Sequence, residues 1–152
     1  MSTQKQRLEE IRKTHRALVA SEHALRDARN TAVLNAVAMG APVTHLAKAT
    51  GTSRELVHRI LRATQLPRVP NDLLREEAVE KLCRSQRALE SVVFSRVQLE
   101  KRRAAAIQEV VLSNGSPRGV IADLAGVSVE TVRKVCLQTL DPSKEIEHPV
   151  IF

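Results

Sequence analysis

Two long stretches of the chain carry apolar residues at helical spacing with no glycine or proline to interrupt them. From the N-terminus to about Met39, residues Leu8, Ile11, Leu18, Leu25, Ala32 and Val37 recur at intervals built from threes, fours and sevens. That spacing predicts one long amphipathic helix, or two helices bent near Ser21. Thr3 and Gln6 have capping-box spacing and place its start, while Met39-Gly40-Ala41-Pro42 ends it. At 1.5 Å per residue the helix would reach roughly 50 Å, so its front, Gln4 to Ala28, needs a surface to cover it. A second long helix is expected from about Asp72 to Ser113, after Pro67 and Pro70 break the chain and with Asn71 or Asp72 as its cap.

After each long pattern comes a pair of short ones. In Gly40 to Arg62, Leu46, Ala47 and Thr50 precede Gly51, and Val57, Ile60 and Leu61 follow it at helical spacing. Ala47 is small enough to let two helices cross closely, Gly51 can take the positive φ of a tight turn, and Ser53 can cap the second helix. The pattern returns 75 residues later in Gly115 to Leu137, where Gly115, Pro117, Ala122, Gly126, Ser128, Glu130 and Val132 are unchanged at the matched positions. The front of the long helices also echoes: Thr14 to Leu18 aligns with Ser85 to Leu89 at an offset of 71, so the second helix has gained four residues, about one turn. The expected architecture is all-α: two tandem repeats, 1–68 and 69–152, each a long helix followed by two short ones, with the long helices packed together.

Composition agrees with an all-helical protein, since the apolar residues are almost wholly aliphatic and only Phe94 and Phe152 are aromatic. The net charge of +7 suits a polyanion, with nucleic acid first and an anionic membrane surface second. It is unevenly placed: Met1 to Pro70 holds 12 Lys and Arg against 5 Asp and Glu, whereas Asn71 to Phe152 holds 12 against 12. The scarcity of aromatic residues argues against single-strand binding by base stacking.

These residues resemble the helix-turn-helix superfamily of small bacterial DNA-binding proteins. The likeness is to the long-helix-plus-helix-turn-helix modules of actinobacteria, their phages and mobile elements, and in style to sigma-factor region 4 and resolvase-type domains. It is strong over Thr31 to Arg62 and Ala105 to Leu137 and weak over the fronts of the long helices. The resemblance implies specific binding of double-stranded DNA, with the helices after Ser53 and Ser128 lying in the major groove.

The first recognition segment supports that expectation from its residues alone. Leu56, Val57, Ile60 and Leu61 share one face and leave Arg54, Glu55, His58, Arg59 and Arg62 on the other. Arg can chelate guanine O6 and N7, Glu can accept from cytosine N4, and His or Ser53 can reach a phosphate or base edge. Thr44, His45 and Lys48 would face phosphates from the preceding helix. The second segment offers Ser128, Val129, Glu130, Arg133 and Lys134, with Val129 able to touch a thymine methyl. There Asp123 replaces Lys48 and Leu137 replaces Arg62, so protein contact stands beside DNA contact as its role. Arg118 and the cluster Lys101-Arg102-Arg103 could add phosphate contacts, although a charge run on a long helix is usually a solvated face.

Catalytic chemistry is not expected. The five histidines lack metal spacing, Cys83 and Cys136 form no CxxC, and no Walker, GxGxxG or GxSxG motif occurs. No enzyme activity, metal or cofactor is anticipated. The absence of a signal peptide or of about 18 consecutive apolar residues points to a cytoplasmic, nucleoid-associated protein without membrane contact. The main expectation is a transcriptional repressor or regulator, or an accessory protein of a phage or plasmid, reading an asymmetric site with its two unlike segments. The alternatives are an adaptor whose second module or long helices grip RNA polymerase or a recombinase, and a nucleoid-structuring protein that bridges duplexes without sequence choice. A homodimer joined through the long helices is left open.

Overall fold

The computed structural model describes residues 2–64 and 66–138, and the chain there is all-helical. Six helices follow one another: α1 (Ser2–Ala38), α2 (Val43–Thr50), α3 (Arg54–Ala63), α4 (Asp72–Asn114), α5 (Arg118–Ala125) and α6 (Val129–Gln138). Asp141-Pro142, whose proline would stop α6 as Pro67 follows α3, and the apolar end Val150, Ile151 and Phe152 lie outside the described residues. Helix α1 begins at Ser2, so Thr3 falls inside its first turn rather than at the cap, and the helix runs on through Ser21. Asn71 supplies the cap of α4: its Oδ1 accepts from the N–H groups of Leu73 and Leu74 at 3.1 and 3.2 Å.

Packing divides the chain into two compact units that cut across the halves 1–68 and 69–152. One unit takes residues 2–20 and 94–138; the other takes 21–64 and 66–93. The physical reason is that an eight-residue and a ten-residue helix present too little apolar surface to enclose a core, so each pair borrows faces from both long helices. The change of unit in α1, between Ala20 and Ser21, comes where the sequence left room for a bend.

In the α2–α3 unit the core joins Ala32, Val33, Ala36 and Val37 of α1, Leu46 and Ala47 of α2, Val57 and Ile60 of α3, and Leu82 of α4. A fully buried Leu or Val here contributes about 1.5–3 kcal/mol. Ala47, the small residue that the sequence pattern placed at the helix crossing, is buried here, and so is Ala36 of α1. The proline segment is tied down by its backbone, Val69 N–H donating to Ala38 O at 2.8 Å and Asn71 N–H to Met39 O at 3.3 Å. This unit also buries charge: Arg29 is 2% exposed, its Nε and Nη2 donate to Asn30 Oδ1, and its Nη1 has no hydrogen-bond partner among the described residues. Burial, then neighbouring Arg26, lowers its pKa from the ordinary arginine value.

In the α5–α6 unit the core joins Leu8 and Ile11 of α1, Ala106, Ile107 and Val110 of α4, Ile121, Ala122 and Ala125 of α5, and Val132 and Val135 of α6. Polar contacts connect the same elements. Gln4 and Arg7 donate to Glu109, Ser113 donates to Gln4, and His15 Nε2 donates to Glu100 at 2.9 Å. As the residue number rises on α1 it falls on α4, so these two segments run antiparallel within the unit.

Candidate nucleic-acid interface

Each short helix pair is built by the same local devices. Helix α2 ends at Gly51 with φ 64° and α5 ends at Gly126 with φ 69°, a left-handed conformation that glycine adopts without Cβ strain. The residue after each glycine donates back five positions, Thr52 N–H to Ala47 O and Val127 N–H to Ala122 O, both at 3.0 Å. These bonds satisfy carbonyls that the helix end would otherwise leave unpaired. Ser53 Oγ then accepts from Leu56 N–H at 3.1 Å, and Ser128 Oγ accepts from Thr131 N–H at 3.1 Å. Two sequence-predicted contact residues, Ser53 and Ser128, are therefore also the caps that aim α3 and α6.

The turn itself differs between the pairs. Thr50 is buried, donates to Leu46 O at 2.8 Å and shares a hydrogen bond of 2.7 Å with Thr52. Ala125 and Val127 occupy the matched places in the other pair, so both hydroxyls are exchanged for apolar groups together. Above that turn lies a side chain that sequence reasoning missed. Arg12 of α1 donates from Nη1 to Asp123 O at 2.8 Å, and its Cγ lies 2.9 Å from where a Cβ on Gly126 would sit.

On α3 the buried residues are Val57 and Ile60, with Leu56 and Leu61 half-buried, and the opposite face presents Arg54, Glu55, His58, Arg59 and Arg62 to solvent. Arg62 Nη2 donates to Glu55 Oε1 at 2.7 Å and its Nε reaches His58 O at 3.4 Å. Arg54, His58 and Arg59 make no side-chain hydrogen bond or ion pair with another described residue. Thr44, Lys48 and Arg54 come together around a shallow groove with Ala47, Gly51 and Thr52. His45 is placed elsewhere: it lines a cleft with Pro42, Arg75, Glu76, Val79 and Glu80, beside two carboxylates.

On α6 the buried residues are Val132 and Val135, and Val129, Glu130, Arg133 and Lys134 are exposed. Arg133 Nε pairs with Glu130 at 3.5 Å, and Arg118 is exposed at the start of α5. Where the first pair exposes His45, Arg54 and Arg62, the second exposes Val120 (42%), Val129 (51%) and Leu137 (54%). Of the basic cluster on α4, Lys101 and Arg102 are exposed; Arg103 is half-buried, and burial lowers its pKa despite nearby Glu100.

Charge divides by unit in a way the linear sequence concealed. The α5–α6 unit holds 12 Lys and Arg against 6 Asp and Glu among described residues, because the basic front of α1 packs there; the α2–α3 unit holds 11 against 8. The excess that the sequence assigned to the first repeat is thus shared, with the larger part beside α6. Among the described residues no group of three His, Cys, Asp or Glu side chains could hold a metal ion, and no helix is long and apolar enough to cross a membrane. Neither a protein-family model, nor a curated protein, nor a solved structure matches the chain.

Proposed function

We propose that this chain is a tandem helix-turn-helix protein that binds double-stranded DNA with sequence preference, acting as a transcriptional repressor or regulator, and that α3 is its principal reading helix. One observation carries the reading: α3 is capped by Ser53, buries one face, and offers on the other Arg54, His58 and Arg59, which have no side-chain partner among the described residues, next to the groove of Thr44 and Lys48. Unpaired guanidinium groups on a rigid helix are what bidentate recognition of guanine requires, and the flanking hydroxyl and ammonium can hold phosphates. Equal helix lengths and matched caps at α2–α3 and α5–α6 support a duplication of the whole module.

A second reading has a specific observation behind it. Exposed Val120, Val129 and Leu137 replace basic or hydrogen-bonding side chains, which favours protein contact by α5 and α6 and makes the chain an adaptor with one DNA-reading module. A titration separates the readings. Exchanging the exposed residues of α3 and of α6 separately should abolish discrimination between a selected and a random duplex in both cases for two reading helices, and only in the first case for the adaptor. Equal affinity of the unaltered chain for both duplexes at every salt concentration rejects sequence reading altogether.

A further inference from the structure

The basic front of α1 belongs to the α5–α6 unit and carries Lys5, Arg7, Arg12, Lys13 and Arg16 against Glu9 and Glu10. Arg12, Lys13 and Arg16 line one shallow groove on that helix, with Ala17 and Ala20 as its small floor and Glu9 as the single acid among its lining residues. All three cations are exposed. Arg12 is committed to the α5–α6 turn, where it holds Asp123 O and rests against Gly126, two residues before the cap of α6. Lys13 and Arg16 make no side-chain hydrogen bond or ion pair with a described residue. The groove is therefore fixed to the entry of α6 by Arg12 and leaves two cations, about one helical turn apart, for an outside anion. The face of α6 is correspondingly poor in base readers, since Val129 and Leu137 stand where α3 has Arg54 and Arg62 and its Arg133 is paired with Glu130.

We infer that the α5–α6 unit binds duplex DNA through its phosphates, with Lys13 and Arg16 of α1 as the contacting cations, and so serves as a sequence-indifferent anchor while α3 reads bases. The inference rests on the duplex-binding reading above and extends it to residues outside both short-helix pairs. Alanine at the floor of the groove lets a phosphodiester strand approach the helix, and two cations on adjacent turns match successive phosphates along a strand. Contacts of this kind position a protein and carry no sequence information.

The test uses the full chain and two duplexes, one selected for tight binding and one of random sequence, titrated at several salt concentrations. Lys13→Ala with Arg16→Ala should weaken both duplexes by the same factor and make the slope of log affinity against log salt shallower by about 1.8, the release expected from two phosphates. The charge-conserving pair Lys13→Arg and Arg16→Lys should keep the original slope, which separates lost charge from a disturbed helix. If the alanine pair leaves slope and affinity unchanged while Arg59→Ala still narrows the gap between the selected and the random duplex, the anchor is wrong and the reading helix stands. If the unaltered chain binds neither duplex, the anchor and the underlying reading fall together.

Discussion

Arg62 donates to Glu55 at 2.7 Å across two turns of α3, closing an ion pair over the exposed face on which His58 and Arg59 also lie. Both side chains are about two-thirds exposed, so the pair adds little to folding, and its consequence is where it holds the guanidinium. Glu55 also sits in the first turn, where a carboxylate favours the helix dipole.

Replacing Glu55 with Gln should therefore shift the melting temperature by no more than about 4 °C, because an exposed pair contributes roughly 0–1 kcal/mol. In DNA binding the effect should be larger and two-sided. Random duplex should bind more tightly, since a negative charge is gone and Arg62 is released to phosphates, and the gap between selected and random duplex should narrow. Thermal unfolding together with titration of both duplexes checks this.

The glycines that end α2 and α5 share a conformation but not an environment. At Gly51 a Cβ would meet nothing within 4 Å, so Gly51→Ala should cost only the left-handed strain of about 1–2 kcal/mol. At Gly126 the same Cβ would push into Arg12 Cγ, so Gly126→Ala should cost the strain plus the hydrogen bond to Asp123, about 0.5–1.5 kcal/mol more. Denaturant melts of Gly126→Ala alone and combined with Arg12→Ala give the coupling. The two losses should be markedly less than additive.

A similar cycle applies to the paired hydroxyls of the first turn, of which Thr50 is buried and Thr52 half-buried. Thr52→Val alone removes the partner of Thr50 at 2.7 Å, although Thr50 keeps Leu46 O as an acceptor, and the loss should be about 1 kcal/mol. Adding Thr50→Ala copies the Ala125 and Val127 of the other turn and should recover part of that loss, since no hydroxyl is then left half-satisfied. Chemical denaturation of the two singles and the double measures it.

Acid should weaken the α5–α6 unit through Glu100. Burial pushes this carboxyl up, but hydrogen bonds from His15 and Arg96 outweigh that and leave its pKa below the ordinary 4.5. Because the folded pKa is the lower one, the stabilisation is present above about pH 4.5 and disappears as pH falls through the folded value. Melting temperatures of the native chain and Glu100→Gln should differ at neutral pH and converge as the pH falls through the depressed pKa of that carboxyl.

Much of each short-helix pair was legible because its determinants are local. Gly51 with Ser53, and Gly126 with Ser128, specify turn and cap within three residues, and the alternation of Val57 and Ile60 with Arg54, His58 and Arg59 gives the buried and exposed faces. The placement of His45 against Glu76 and Glu80 was not legible, since it depends on how the front of α4 packs. The same holds for Arg12, whose acceptor is 111 residues away, and for the electrostatics of the α5–α6 unit, which depend on the front of α1 packing beside α6. Helical periodicity tells that a face is covered and is silent about which distant helix covers it.

The role of α3 as the reading helix is tested most directly by selection of bound duplexes from a random pool, run in parallel with the native chain and with Arg59→Ala. The native chain should enrich a defined motif, and Arg59→Ala should lose one base preference within it, at about 1–3 kcal/mol on the selected site, while random duplex is bound as before. A pool that stays random with the native chain, or a motif that Arg59→Ala leaves intact, would contradict the assignment of α3 as the reading helix.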